Sequence, residues 1–356
     1  MIVAGGGTGG HLFPGIAVAE TLAAPGGATI LFVGSAYGIE ATTVPRTQFP
    51  FRSLAIRAMR GRGVRGALMF LAQLPAALLT AWRIIGSFRP NLVLGLGGYG
   101  SVPVIIGAWL RRVPCVLLEQ NVHPGMANRV LAHLARRVCT NFAGSVRFFP
   151  AGKAVQTGNP VRHLSATTAP SADHFTLFVF GGSQGASSIN RAAVEAVRML
   201  SGKLPGLQMI HQTGAADAQS VRQRYDAMGV AADVVPFIED MGAAYGRANL
   251  IVCRAGATTL AEITLLGKPS VLIPYPFAAD DHQRVNAEVL AQRGAAAIIA
   301  DAELTGEKLA ACVLSLARDR ARLTAMGAAA RQLAVPDAAA RVVEVCRQVA
   351  AEEEVR

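Results

Sequence analysis

Short apolar runs of strand length alternate with helical stretches almost from end to end of this chain. The runs are Met1–Ala4, Thr29–Val33, Leu92–Gly95, Cys115–Leu118, Thr176–Phe180, Gln208–His211, Leu250–Cys253 and Ser270–Ile273. Between them, Leu12–Leu22 and Ile189–Leu200 carry apolar residues at helical spacing. That rhythm predicts an α/β protein whose parallel sheets are wrapped by helices on both faces. It lapses between Phe148 and Ala172, where Pro, Gly, Ser and Thr dominate around GNPVR at Gly158–Arg162. A domain boundary is expected there, giving a first domain over 1–160 and a second over 161–335. Pro336 then introduces a final helix, 336–356, that either packs locally or crosses back onto the first domain. No short-period repeat is present, which argues against a solenoid.

Two of the predicted strands end in glycine. GGGTGGH at Gly5–His11 follows Met1–Ala4, and GGSQGA at Gly181–Ala186 follows Thr176–Phe180. A strand ending in glycines turns sharply and points backbone N–H groups, at the positive end of the next helix, toward an anion. One such turn is weak evidence, because glycine also serves close packing. Two, in opposite halves, predict a pair of nucleotide-type domains facing a shared cleft.

The 356 residues suit two domains, and with 52% hydrophobic and 16% charged residues both can bury a core. Five scattered cysteines without C-x-x-C spacing point away from a disulfide framework or a zinc knuckle and fit a reducing compartment. The chain enters its first strand without a basic segment and apolar run, so no secretory signal is expected. Charge is uneven. Residues 1–160 hold 15 Lys and Arg against three acids (Glu20, Glu40, Glu119), whereas the remainder holds 19 against 20. A basic first half is drawn to anionic lipid or polyphosphate. Nucleic acid is not expected as a partner, since aromatics are 6% and no stacking module accompanies the arginines. The segment Ala67–Trp82 is shorter than the roughly 20 apolar residues that span a bilayer. Arg57, Arg60, Arg62 and Arg65 precede it and Arg83 follows, and Trp109 with Arg111 and Arg112 repeats the pairing. It reads either as a core helix beside a basic loop or as an interfacial one.

Candidate chemistry clusters at the turns. His11 closes the first glycine loop at a helix start, where the dipole favours neutral imidazole, suited to act as a general base or to cap the helix. CRAGATTLAE at Cys253–Glu262 is a third small-residue turn after a strand. Its helix end with Thr258 and Thr259 can hold a diphosphate, and Glu262 can accept from a ribose diol. PYPFAADDHQRVNA at Pro274–Ala287 places Asp280, Asp281, His282 and Gln283 in a polar loop fit to line a sugar pocket. A nicotinamide enzyme would want an acid at the end of the second strand, and Val33–Tyr37 supplies none, with Glu40 coming late.

GGGTGGH, GLGGYGSVP (Gly95–Pro103), LEQN (Leu118–Asn121), GNPVR, GGSQGA, CRAGATTLAE and PYPFAADDHQ-x-x-NA follow one another in an order and spacing that resemble the MurG family across nearly the whole chain. Those enzymes use UDP-N-acetylglucosamine to convert lipid I to lipid II in peptidoglycan synthesis. The resemblance implies a GT-B fold of two Rossmann-like domains, inverting transfer with UDP-N-acetylglucosamine as donor, and no tightly bound cofactor or metal. It implies His11 as base and Thr8, Gly9 and Gly10 lining the diphosphate cleft. Ser183 would meet the donor phosphates, Ile238 in PFIED the uracil, and Ala257, Thr258, Thr259, Leu260, Ala261 and Glu262 the sugar, diphosphate and ribose. Gln283 and Asn121 would meet the N-acetylglucosamine hydroxyls, and Arg162 falls at a donor-site arginine. Implied partners are lipid I, an anionic membrane surface and proteins of a cell-wall synthesis complex, at the cytoplasmic face of the bacterial inner membrane. The alternative on this scaffold is a glycolipid glycosyltransferase or a UDP-sugar epimerase. His282 stands where some relatives carry a second glutamine, and His123 follows LEQN; neither receives a role.

Overall fold

Each glycine turn leaves the carboxyl end of a strand and feeds a helix, and repetition of that unit builds both halves of the chain. The computed structural model describes residues 1–23, 27–57, 63–162, 164, 169–171 and 173–354, the side chains at 63–65, 67, 353 and 354 excepted. Arg60, Arg62 and the side chain of Arg65 lie outside the described residues. The chain divides into two units, Met1–Arg162 with Val335–Arg356, and His163–Ala334.

In the first unit β1 (Ile2–Ala4), α1 (Gly9–Leu22), β2 (Leu31–Ser35), α2 (Glu40–Thr43), β3 (Phe51–Leu54) and α3 (Gly63–Phe88) are followed by β4 (Val93–Gly95), α4 (Val102–Leu110), β5 (Cys115–Glu119), α5 (Met126–Leu131), β6 (Arg137–Thr140) and β7 (Ala154–Gln156). The strands pair in parallel in the order β3-β2-β1-β4-β5-β6-β7. The second unit runs β8 (Phe175–Phe180), α6 (Ser187–Leu200), β9 (Leu207–Gln212), α7 (Ala218–Ala227), β10 (Ala231–Val235), α8 (Met241–Arg247) and β11 (Leu250–Cys253). It continues through α9 (Ala257–Leu266), β12 (Ser270–Leu272), α10 (His282–Gln292), β13 (Ala296–Ile298), α11 (Gly306–Arg318) and α12 (Arg320–Gln332). Its strands, again parallel, are ordered β10-β9-β8-β11-β12-β13. In both sheets the chain steps outward for three strands and restarts on the other side of the first. The loops leaving β1 and β4, or β8 and β11, therefore diverge at the carboxyl edge, the place where open α/β sheets bind ligands.

Successive strand residues feed opposite cores. Leu177 and Val179 of β8 join Ile189, Val197, Leu309 and Val313, while Phe178 and Phe180 join Tyr245, Leu260, Ile263 and Leu290. The last helix, α13 (Ala338–Glu354), belongs to the first unit. Its Val342, Val343, Cys346 and Val349, at helical spacing, pack with Leu12, Ile16, Val18 and Leu22 of α1.

Three expectations are revised. The second strand is Leu31–Ser35 rather than Thr29–Val33, because its end is drawn toward α2, where Ser35 N–H meets the Glu40 carboxylate at 2.9 Å. The apolar stretch Ala67–Trp82 belongs to a longer helix, α3, which over Leu68–Phe88 is long and apolar enough to cross a membrane. Pro75 sits within it on an exposed face, where water reaches the carbonyl that a missing N–H leaves unpaired. Phe70, Ala77, Ala81, Ile84 and Ile85 of α3 are buried in the first unit's core, whereas Leu68, Met69, Leu71 and Leu79 are exposed. Finally, β3, β6, β7, β10 and β13 were not among the predicted runs.

Both tryptophans, Trp82 and Trp109, lie in the first unit, so their fluorescence reports its unfolding alone. Val342→Ala should lower the stability read from that signal in urea by about 2 kcal/mol, the usual scale for truncating a buried aliphatic side chain. An unchanged midpoint would mean that α13 does not hold α1.

Candidate active site

Gly5, Gly6 and Gly7 leave β1 with φ of +108°, +140° and +85°, a region that L side chains rarely adopt. A Cβ on Gly5 would lie 2.5 Å from Gly97 O, so the turn also admits no side chain on steric grounds. Thr8 is the N-cap of α1, and Gly9, Gly10 and His11 form its first turn rather than a loop ahead of a helix at Leu12. Thr8 Oγ1 lies 2.8 Å from His11 Nδ1. Gly97, in the loop after β4, packs between His11 and Asn128: a Cβ there would be 3.2 Å from His11 Cδ2 and 3.1 Å from Asn128 Nδ2. The Arg162 guanidinium stands 5.2 Å from the ring of Phe13 on α1.

The loop does not offer all its amides to a ligand. Gly5 N–H donates to Val33 O, and Gly7 N–H to Glu40 Oε2 at 2.6 Å. Asn121 is similarly committed: its backbone N–H and its side-chain amide both donate to Glu119 Oε1, at 2.9 and 3.2 Å. Glu119 Oε2 accepts from Gly125 N–H and Asn128 Nδ2. Burial pushes the Glu119 carboxyl above the usual carboxylate range, and these hydrogen bonds oppose the shift.

In the second unit, neutral amides do the same work. Gln212 at the end of β9 donates from Nε2 to Gly182 O and accepts Ile238 N–H at Oε1, joining the Ser183 turn to the loop after β10. A Cβ on Gly185 would sit 1.9 Å from Thr213 O, so these loops touch backbone to backbone. Gln283 Oε1 accepts from Ala255 N–H and Tyr275 N–H, fastening the β11 turn to the β12 loop. Arg254 reaches Ser188, Asp301 and the carbonyls of Ile273 and Pro274. Ser183, Ile238, Ala257, Thr258, Thr259, Glu262 and Gln283 thus gather at one edge of the second sheet. Glu262 is buried and accepts from Tyr245 Oη at 2.9 Å, and Ala261 beside it is half-buried. The side chain of Leu260 lies in the core and its N–H bonds Gly256 O. Asp281 is turned to pair with Arg284, His282 Nδ1 meets Ala279 O, and the His123 ring lies tilted against Phe148, centroids 4.9 Å apart.

Sequence reasoning missed Glu40, Glu119, Gln212, Asn190 and Arg254. One signal was available for two of them: only three acids occur in residues 1–160, and Glu40 and Glu119 are buried.

Known proteins resemble the chain throughout. The profile of the glycosyltransferase family 28 N-terminal domain matches residues 1–140, and that of the glycosyltransferase family 28 C-terminal domain matches 176–342. The chain is 44% identical over 354 residues to the UDP-N-acetylglucosamine--N-acetylmuramyl-(pentapeptide) pyrophosphoryl-undecaprenol N-acetylglucosamine transferase of Anaeromyxobacter sp. (strain K), covering 98% of this chain and 92% of that one. It is 46% identical to the protein of the same name from Desulfotalea psychrophila, with 98% and 96% covered. The crystal structure of Acinetobacter baumannii MurG superposes with a TM-score of 0.79 at 32% identity, covering 98% of each chain. A UDP-GlcNAc 2-epimerase from Neisseria meningitidis bound to UDP-GlcNAc, at 11% identity, a TM-score of 0.70 and 98% and 99% coverage, shares the fold alone.

The second glycine turn rests on a buried network with a pH signature. His211 Nε2 faces Asn190 Oδ1 at 3.1 Å, and Asn190 Nδ2 donates to Thr213 O and Asp217. Asn190 Oδ1 is an acceptor, so His211 carries its proton on Nε2, and Nδ1, 2.9 Å from Tyr225 Oη, accepts. Burial lowers the His211 pKa to about 3 from 6.5, with Asp217 opposing. Between those values the unfolded chain binds a proton that the folded chain refuses, so stability falls as pH drops from 6.5 toward 3, by at most about 1.4 kcal/mol per pH unit. The protection factors of β9 amides, which are corrected for the intrinsic slowing of exchange in acid, should fall over that window and fall less in His211→Gln; equal slopes would remove His211 as the cause.

Proposed function

Because the chain belongs to glycosyltransferase family 28 and, within it, to the MurG family, we propose that it transfers N-acetylglucosamine from UDP-N-acetylglucosamine to the muramyl 4-hydroxyl of lipid I. The observation that carries this reading is the gathering of the motif side chains at the carboxyl edge of each sheet, beside its reversal of strand order. The fold is GT-B, and the first unit serves the acceptor while the second grips the donor.

His11 acts as the general base. With Nδ1–H donated to Thr8 Oγ1, the Nε2 lone pair takes the hydroxyl proton as the oxygen attacks the anomeric carbon. The C–O bond to UDP breaks in the same displacement, so configuration inverts and no covalent enzyme intermediate forms. In the second unit, the amino ends of α6 and α9 with Ser183, Thr258 and Thr259 take up the charge developing on the diphosphate. Glu262, oriented by Tyr245, receives the ribose hydroxyls. Ile238 N–H is committed to Gln212, so its carbonyl is the backbone group left to accept the uracil N3–H. Gln283 spends its carbonyl on the two loops and keeps its amide N–H groups for the sugar.

The acceptor's undecaprenyl chain places the work at a membrane surface. Exposed Leu68, Met69, Leu71 and Leu79 on α3, and Trp109 and Leu110 at the end of α4, suit insertion among lipid chains. The arginine excess of residues 1–160 suits anionic headgroups. The setting is the cytoplasmic face of the inner membrane, in company with other cell-wall enzymes.

UDP release from UDP-N-acetylglucosamine should require a soluble lipid I analogue; release without it would favour an epimerase or hydrolase. His11→Ala should lower kcat by about 10²–10⁴, the range for losing a general base, with the donor KM within twofold. Near-normal turnover would remove the base assignment. Leu71→Glu with Leu79→Glu should reduce co-sedimentation with anionic vesicles at least tenfold while the soluble assay is unaffected, and undiminished sedimentation would discard the α3 surface.

A further inference from the structure

Glu40 opens α2 and is 1% exposed. Its Oε2 accepts Gly7 N–H at 2.6 Å and its Oε1 accepts Ser35 N–H at 2.9 Å. No lysine or arginine pairs with it among the described residues. The space it fills is made by absent side chains. A Cβ on Gly6 would lie 2.8 Å from Oε2, one on Gly38 2.2 Å from the same oxygen, and one on Gly34 2.7 Å from Cγ. Gly6 also needs its φ of +140°, but Gly34 and Gly38 do not have left-handed backbone and are glycine for room alone.

A carboxylate buried without a counter-ion persists only if its oxygens are hydrogen-bonded, and a buried N–H needs an acceptor just as strongly. Glu40 and the two amides therefore hold one another in place. Gly7 directly precedes Thr8, the cap whose hydroxyl meets His11 Nδ1. Where Gly7 is pinned, Thr8 and the imidazole are aimed.

We propose that Glu40 is a positioning residue for the transfer reaction: it anchors Gly7 and thereby sets the Thr8–His11 pair against the acceptor hydroxyl. The proposal rests on the transferase reading given above. A base displaced by about 1 Å is known to cost on the order of 100-fold in rate, so an anchor one residue from the cap has leverage on kcat. Its leverage on donor affinity is small, because the groups assigned above to uracil, ribose and the leaving diphosphate, Ile238, Glu262, Ser183, Thr258 and Thr259, belong to the other unit.

Two variants test this. Glu40→Gln keeps the volume but turns a donor toward the Gly7 or the Ser35 N–H. Gly34→Ala retains the glutamate but puts a methyl 2.7 Å from its Cγ, which must displace the Glu40 side chain, at a φ that alanine accepts. In both, kcat for UDP release with a soluble lipid I analogue should fall at least tenfold. UDP-N-acetylglucosamine affinity by calorimetry should stay within twofold. Counting donor-binding sites normalises kcat to folded enzyme; a role in folding alone would lower the count and leave kcat per site unchanged. Wild-type kcat per site in both variants, or donor affinity falling in step with kcat, overturns the proposal. Should the wild-type protein release no UDP with acceptor, the transferase reading fails instead, and hydrogen exchange decides the anchor. Protection of the Gly7 amide should drop at least tenfold in Glu40→Gln, and equal protection overturns it.

Discussion

Every loop at the carboxyl edge of these two sheets must solve the same problem: a backbone folded too tightly for side chains leaves polar groups that need partners away from water. The glycines that make the turns cannot supply them. Side chains do, three of them carboxylates or amides that accept two or more N–H groups and the fourth an amide that accepts one and donates another. Glu40 serves Gly7 and Ser35, and Glu119 serves Asn121, Gly125 and Asn128. Gln283 serves Ala255 and Tyr275, while Gln212 ties Gly182 to Ile238 through both ends of its amide. Remove any one and a turn loses its fixed course, whatever the sheet beneath it does.

That dependence explains which parts of the chain were legible before the fold was seen. Central strands are buried on both faces, so β1, β4, β5, β8 and β11 read as apolar runs. Strands at or near the edges do not. In β3 Arg52 and Ser53 are exposed, in β7 Val155 and Gln156, and in β10 Ala231 and Asp233. A strand with one open flank has no need of an unbroken apolar run, and three to five residues carry too little pattern to be recognised. The length of α3 escaped notice for the opposite reason: Pro75 reads as an interruption, yet on an exposed face it costs the helix little.

At the site the division is similar. Glycine turns, the histidine at a helix start and the Thr-Thr-x-x-Glu segment announce themselves by local chemistry. Glu40, Gln212 and Arg254 do not, because what each does is defined only by chain remote in sequence: Gly7 lies 33 residues from Glu40, and Asp301 lies 47 from Arg254. Leu260 shows the converse. Its place inside a motif gives no sign that the helical period turns its side chain into the core next to Ile263.

Using a carboxylate in one unit and amides in the other makes the two glycine turns electrically unlike. At the first turn, the positive end of α1 follows a backbone that Glu40 holds by accepting Gly7 N–H. An anion approaching the second turn meets the ends of α6 and α9 over neutral Gln212 and Gln283, with the Arg254 guanidinium held nearby. The same loop geometry is therefore backed by an acid in the first unit and by neutral amides and a guanidinium in the second. On the proposed reaction the first turn has to hold a histidine still rather than grip a nucleotide, and the acid beneath it fixes the backbone from which Thr8 and His11 follow.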